Sequence, residues 1–314
     1  MAQTKKNRKI IWALDPFEKT GETTKELVEN LKQLAGATGA KVEPVYVLSP
    51  DLIDVNLTYP DSWFKKYRPL TENVVNQYLK DLAFPNLLPP RILNERQASM
   101  RQATQTLLAY AKRAKAEMIA VGTHSRKGMS RFFMGSFAET VLLYSKVPVL
   151  VVGAQSLKKG NKGQKRMDHI LFATDFTKNS GILFESILKL AASLHSRITI
   201  LHAIPHPAAP LIQSGVYLLS GAWVTLPEFL TQEEERTRKL GARYEALARR
   251  KNVPLDVVID SSHMGISEII LKNAETASLI AMAAESGMMK SLLIGSITRQ
   301  VVRSAPCPVW VMRK

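Results

Sequence analysis

The segment VGTHSRKGMSRFFMGS, Val121 to Ser136, has the residue types of an anion-holding loop. Gly122, Gly128 and Gly135 carry no Cβ, so backbone N–H groups there can approach a phosphate closely. Arg126, Lys127 and Arg131 add positive charge, and no Asp or Glu stands anywhere in the segment. The strand-like run Met118 to Val121 leads in, and Gly135-Ser136 opens a helical pattern. At a helix start the first N–H groups lack partners and the macrodipole is positive, so an anion is stabilised there. Ser136-x-x-Glu139 is also a capping box, in which Ser136 serves its own helix. On residue types alone both readings stay open.

Other chemistry is thinly represented. His124 has no assignable acid or nucleophile to work with, so it reads as a loop or pocket-wall residue rather than a general base. Cys307, just before Pro308 in an apolar run, reads as a core thiol rather than a reactive one. As the single cysteine it rules out an intrachain disulfide and fits a reducing compartment. The charged start MAQTKKNRK precedes only a short apolar run, Ile10 to Leu14, so neither a signal peptide nor a membrane span is expected and the chain reads as cytoplasmic. No Walker loop, H-E-x-x-H or paired-cysteine metal spacing occurs. The net charge of +16 raises the question of nucleic acid. Much of it sits in Lys5, Lys6, Arg8 and Lys9 and in Lys158, Lys159, Lys162, Lys165 and Arg166, stretches without interleaved aromatics. With no helix-turn-helix or zinc-finger pattern either, this charge reads as solvated tail and linker, and no specific nucleic acid is expected.

The elements that position the loop repeat along the chain. Asp15 falls on Asp175, Gly135-Ser136 on Gly295-Ser296, and Pro148-Val149 on Pro308-Val309, each pair 160 residues apart. The basic stretch 154–167 lies where a boundary belongs, so the division expected is a first domain over 1–153, a linker, and a second domain over 168–314. Each copy alternates short apolar runs with helical periodicity. In the first, strands are expected at Lys9–Leu14, Val42–Leu48, Arg91–Asn94, up to Val121, and at Val147–Val152. In the second they fall at HILFAT, ITILHAI, LDVVID, SLIAMAA and CPVWVM. Such alternation predicts an α/β fold of doubly wound parallel sheets, whose ligands bind at the carboxyl ends of strands near a topological switch point. Two insertions interrupt the scheme. Residues 50–90 carry Tyr59, Trp63, Phe64, Tyr67 and Tyr78; residues 205–230 are apolar but broken by Pro and Gly, and are expected over the sheet or at an oligomer interface.

The Gly-Thr-His start at Gly122, the Gly-Ser at 135–136 and the Pro-Val-Leu-Val-Val strand from Pro148 resemble the universal stress protein family, over nearly the whole chain as two copies. Nucleotide-binding members carry G-x-x-G, nine residues, then G-S or G-T. Here Gly122, Gly135 and Ser136 match, with Ser125 at the second glycine's position. The resemblance implies two tandem five-stranded parallel sheets, paired as a homodimer or an intrachain pseudo-dimer through the last strands. It implies that Asp15 and Val47 flank adenine and ribose, that Val121 and Gly122 run along the sugar, and that Ser125, Gly135, Ser136 and Phe137 line the phosphates. The charges of Arg126 and Lys127 join that phosphate end. The ligand implied is ATP or AMP, with or without Mg2+, and the activity is binding and sensing with at most slow hydrolysis.

At the 160-residue offset Gly122 falls on Met282 and Ser125 on Glu285, while Arg126, Lys127 and Arg131 fall on Ser286, Gly287 and Ser291. A carboxylate against a phosphate is unfavourable by roughly 1 to 4 kcal/mol, depending on effective dielectric. The second copy is therefore expected to be degenerate, with Asp175, Gly295 and Ser296 keeping the fold. Two rivals stand beside this reading. One is a stress-related interaction protein that holds no nucleotide and works through its apolar insertions, on lipid, a small molecule or a protein. The other is an ATP-using enzyme, for which no catalytic group can be assigned.

Overall fold

The computed structural model describes residues 8–17, 22–50, 58–80, 82–123, 136–153, 166–204, 216–219, 222–284 and 295–313. The first repeat runs β1 (Lys9–Ala13), α1 (Glu22–Thr38), β2 (Lys41–Leu48), α2 (Asp61–Lys80), β3 (Arg91–Asn94), α3 (Met100–Arg113), β4 (Met118–Gly122), α4 (Ser136–Tyr144) and β5 (Val149–Val152). The second repeat opens with β6 (His169–Ala173), α5 (Lys178–Leu194) and β7 (Arg197–Ala203), followed by a hairpin of β8 (Val216–Leu219) and β9 (Ala222–Thr225). It continues with α6 (Leu226–Arg249), β10 (Leu255–Asp260), α7 (Ile266–Asn273), β11 (Leu279–Ala284), α8 (Ser296–Ser304) and β12 (Val309–Arg313).

Ten of the strands form one sheet in the order β10-β7-β6-β11-β12-β5-β4-β1-β2-β3. Within this sheet every pairing inside a repeat is parallel, the two halves join where β5 and β12 run antiparallel, and β8 and β9 form a separate antiparallel pair. Leu150 lies opposite Trp310 at this joint, with Val149 opposite Val311 and Val151 opposite Val309. Leu150 and Trp310 are themselves equivalent positions of the two repeats, so a local two-fold axis passes through that pair. Because the joint is antiparallel, the strands of the two repeats point in opposite directions, and their carboxyl ends lie at opposite ends of the sheet.

Both faces of the sheet are covered, which is why its strands read as near-continuous apolar runs. Ile10, Trp12 and Leu14 point to one face, into the apolar layer that Leu27, Leu31 and Leu34 of α1 and Val75 of α2 build over the first repeat and that Leu183, Phe184 and Ile187 of α5 continue over the second. Ile11 and Ala13 point to the other, into the apolar layer that Leu107 of α3 and Val141 of α4 build over the first repeat and that Ile269 of α7 and Val301 of α8 continue over the second. The alternation between faces is the period-two geometry of a strand. α1 and α5 touch across the joint, and Gln33 accepts the Met167 backbone N–H at 2.8 Å. Cys307 is buried, as its place in the pattern implies, and burial pushes its thiol pKa up.

The insertions take definite shapes. α2 turns Phe64, Thr71, Val75 and Leu79 inward, and the Trp63 ring meets those of Tyr59, Phe64 and Tyr67 at 4.7 to 5.5 Å. Tyr78 reaches Trp12 at 6.3 Å, so part of that aromatic character serves the core. In the second insertion the β8–β9 hairpin leads straight into α6, and residues 205–215 lie outside the described residues.

A buried charge sits at the amino ends of the first repeat's strands. The Glu43 carboxylate is 5% exposed and is held by the Lys9 ammonium at 2.9 Å and by the Tyr110 hydroxyl at 2.9 Å. Neutralising one partner leaves the other desolvated without compensation. Lys9→Met should therefore lower the free energy of unfolding by about 2 kcal/mol, read from urea denaturation, and adding Glu43→Gln should recover part of the loss.

Candidate functional site

In the first repeat the strand order β4-β1-β2 places the reversal of winding between β1 and β4. The α1 connection leaves β1 toward β2, whereas the chain returns from β3 to β4 on β1's other side, so their carboxyl ends part and leave a crevice. The register pairs Ala13 with Val45 and with Val121, and Gly122 with Val152. Asp15, Val47, Val121 and Gly122 are thereby brought to one end of the sheet, at the end where α4 begins. Val121 and Gly122 are buried, Val47 is half-buried, and Phe137 in the first turn of α4 is half-buried in the same apolar layer. Asp15 is exposed, and one carboxylate oxygen accepts the Phe17 backbone N–H at 3.1 Å. Among the described residues its other oxygen has no partner, which leaves it able to accept a hydrogen bond from a ligand's hydroxyl or amino group.

His124, Ser125, Arg126, Lys127 and Gly135 lie outside the described residues, as does the side chain of Ser136, the first residue of α4. Glu139, the acid of the expected capping box, reaches Arg299 and Arg303 of the second repeat at 3.0 and 3.6 Å. Sequence reasoning passed over Phe17. Its ring is 59% exposed beside Asp15 and meets Tyr46 edge-on at 5.7 Å. An aromatic two residues after a strand-terminal aspartate was the available signal.

The strand register corrects the alignment of the repeats. Ala13 pairs with Val121, and its equivalent Ala173 pairs with Met282. The counterpart of Gly122 is therefore Ala283, not Met282, because the second repeat is one residue shorter between this strand and α8. The one-residue difference falls after Ala284, so Ser125 and Glu285 both lie outside the described residues, and so does the expectation of a carboxylate at the Ser125 position. The sequence of the second loop does lack the first loop's positive charges, with Lys290 alone between 285 and 294.

At the crevice end of the second repeat the aspartate gains a second partner. Asp175 accepts the Thr177 N–H at 3.0 Å and the Ser180 hydroxyl at 2.6 Å through one oxygen. Phe176 adopts a left-handed backbone, φ 57°, which is strained for a bulky residue. Its ring lies 5.3 Å from His202 and stacks on Tyr244 at 5.5 Å with planes 17° apart. Tyr46 and His202 are equivalent in register, so both repeats dock an aromatic at this point, and only Phe17 leaves it largely in solvent. A separate cleft of about 590 Å3 between α2 and residues 87–90 shares no residue with either crevice. Among the described residues no group of three or more metal-ligating side chains occurs, and no helix is long and apolar enough to cross a membrane.

A two-repeat, doubly wound α/β chain with a crevice at each switch point is the class these features define. The model of the universal stress protein family matches residues 6–153 and again 167–313, and the chain belongs to that family. A universal stress protein from Archaeoglobus fulgidus DSM 4304 shares the fold at 18% identity, over 97% of this chain and 98% of that one, with a TM-score of 0.64. A functionally unknown protein from Pseudomonas aeruginosa PAO1 does so at 12% identity, over 98% and 93%, with a TM-score of 0.62. A universal stress protein solved in complex with cAMP matches at 17% identity, over 47% of this chain and 97% of that one, with a TM-score of 0.31. Among curated proteins none matches this chain in sequence.

Burial opposes ionisation of Asp175, but the Ser180 hydroxyl and the Thr177 N–H outweigh it and hold its pKa below the ordinary aspartate range. A depressed carboxylate stabilises the fold above the unfolded-state pKa, and that contribution disappears as the pH falls through the folded value. Side-chain carboxyl NMR should find the Asp175 titration midpoint below that of an unstructured aspartate, and Ser180→Ala should move it upward.

Proposed function

We propose that this protein binds an adenine nucleotide, ATP or AMP, in its first repeat and acts as a stress-response sensor rather than as a catalyst. The observation that carries the reading is the convergence of Asp15, with one carboxylate oxygen unpartnered among the described residues, Val47, Val121 and Gly122 at the carboxyl end of the switch point. Asp15 and Val47 then hold adenine and ribose, and Val121 and Gly122 run along the sugar. Ser125, Arg126, Lys127, Gly135, Ser136 and Phe137 take the phosphate end, with or without Mg2+ on ATP. The chemistry of that set suits binding: backbone donors, hydroxyls and cations neutralise phosphate charge, and no residue in it is placed as a general base.

The domains proposed are 1–153 and 168–314 with the basic stretch 154–167 between them, in a cytoplasmic protein. In the second domain Asp175 is already engaged by Thr177 and Ser180, Ala283 replaces Gly122, and the Arg126 and Lys127 charges are missing. These features favour one nucleotide per chain. Isothermal calorimetry with ATP and AMP should give a stoichiometry near one, and Arg126→Glu with Lys127→Glu should weaken ATP more than AMP, by about tenfold or more. Absence of binding heat up to millimolar nucleotide would sink the reading. Two equivalent sites per chain would sink the assignment to the first domain alone.

A further inference from the structure

The joint between the repeats carries side chains that break its two-fold symmetry. α4 and α8 start at equivalent Gly-Ser steps, so Glu139 corresponds to Arg299 and Leu143 to Arg303. Equivalent residues meet near a two-fold axis, and here the meeting pair is Glu139 with Arg299 at 3.0 Å, with Arg303 joining at 3.6 Å. All three side chains are partly shielded, 29 to 38% exposed, so their charges are less screened than those of a free surface pair. Arg313 of β12 also donates to the Leu143 carbonyl near the end of α4, where a cation is favoured. Its counterpart in the first repeat is Gly153, which has no side chain to donate.

The same surface pairs badly with a copy of itself. Two first repeats joined in this register would set Glu139 against Glu139, with Leu143 where the second cation belongs. Two second repeats would bring Arg299 and Arg303 from both sides together with no acid between them. Like charges in contact at an interface disfavour the wrong partner. We propose that the Glu139, Arg299 and Arg303 cluster is a recognition device: it makes the last-strand surface of each repeat accept the opposite repeat, from its own chain or from another copy of the protein, and reject its own kind.

Charge reversal tests this in the full chain. Glu139→Arg in one variant and Arg299→Glu with Arg303→Glu in a second each leave like charges at the joint. When the two variants are refolded together, exchange of repeats between chains restores opposite charges at both joints of a mixed dimer. Native mass spectrometry, with one variant isotopically labelled, should show that mixed dimer about tenfold or more above dimers of either variant refolded alone. A statistical mixture, or no excess of mixed species, overturns the proposal. A third variant carrying all three reversals restores complementarity within one chain and should unfold near the wild-type urea midpoint, above both partial variants. If it unfolds with them instead, the losses belong to packing rather than to charge and the proposal fails.

Discussion

Everything in this molecule depends on the antiparallel pairing of β5 with β12. A last strand left at the edge of a five-stranded sheet would expose a row of backbone donors and acceptors and invite other chains to pair with it. Here each repeat supplies the strand that covers the other's edge, and the apolar residues at the joint are shielded from water together. Val149, Leu150, Val151, Val309, Trp310 and Val311 are all buried. The edges that remain belong to β3 and β10, far from the joint. The pairing also sends the two sets of carboxyl ends to opposite ends of the sheet. Each crevice must therefore be complete within its own repeat, and the two are free to differ.

They differ through small changes around a shared backbone plan. Both repeats follow the first strand with an aspartate that accepts the N–H two residues on, the local bond that Asp makes readily in turns. In the second repeat Ser180 adds a hydroxyl to the same carboxylate oxygen, and Phe176 is closed in by His202 and Tyr244. In the first, Pro16 occupies the position of Phe176, and a proline cannot take up a left-handed backbone. The aromatic moves to Phe17 and stays largely in solvent. At the opposite ends of the strands the replacement is equally direct. The charged Lys9–Glu43 pair becomes His169 against Thr199, joined at 2.9 Å without a carboxylate. Burial and the neighbouring Arg197 hold the His169 pKa low, against the Thr276 carbonyl, so this neutral arrangement is favoured.

Much of this was legible in the sequence, and some was not. The expected strands appear within a residue or two, because a strand buried on both faces must be a short continuous apolar run and few other structures tolerate one. The offset of 160 exposed the repeat and the places where it is strict, Asp15 with Asp175 and Ser136 with Ser296. It failed at β4 and β11, since a single deletion in the following loop shifts the register by one without changing the apolar pattern. Insertion 50–90 announced its aromatics, yet not that four of the five sit on a twenty-residue helix with Phe64, Val75 and Leu79 turned inward.

The sequence by itself determined the α/β class, the two repeats, the family and the short list of residues at strand ends. These follow from local patterning and from motifs in which neighbouring residues constrain one another. Only the tertiary structure decided which residues meet across the joint, because Glu139 and Arg299 lie a whole repeat apart and their attraction exists only once β5 and β12 are paired. It likewise decided that the second repeat's aspartate is engaged and its aromatic enclosed. That depends on His202 and Tyr244 arriving from separate elements, and no spacing along the chain encodes the distance between them.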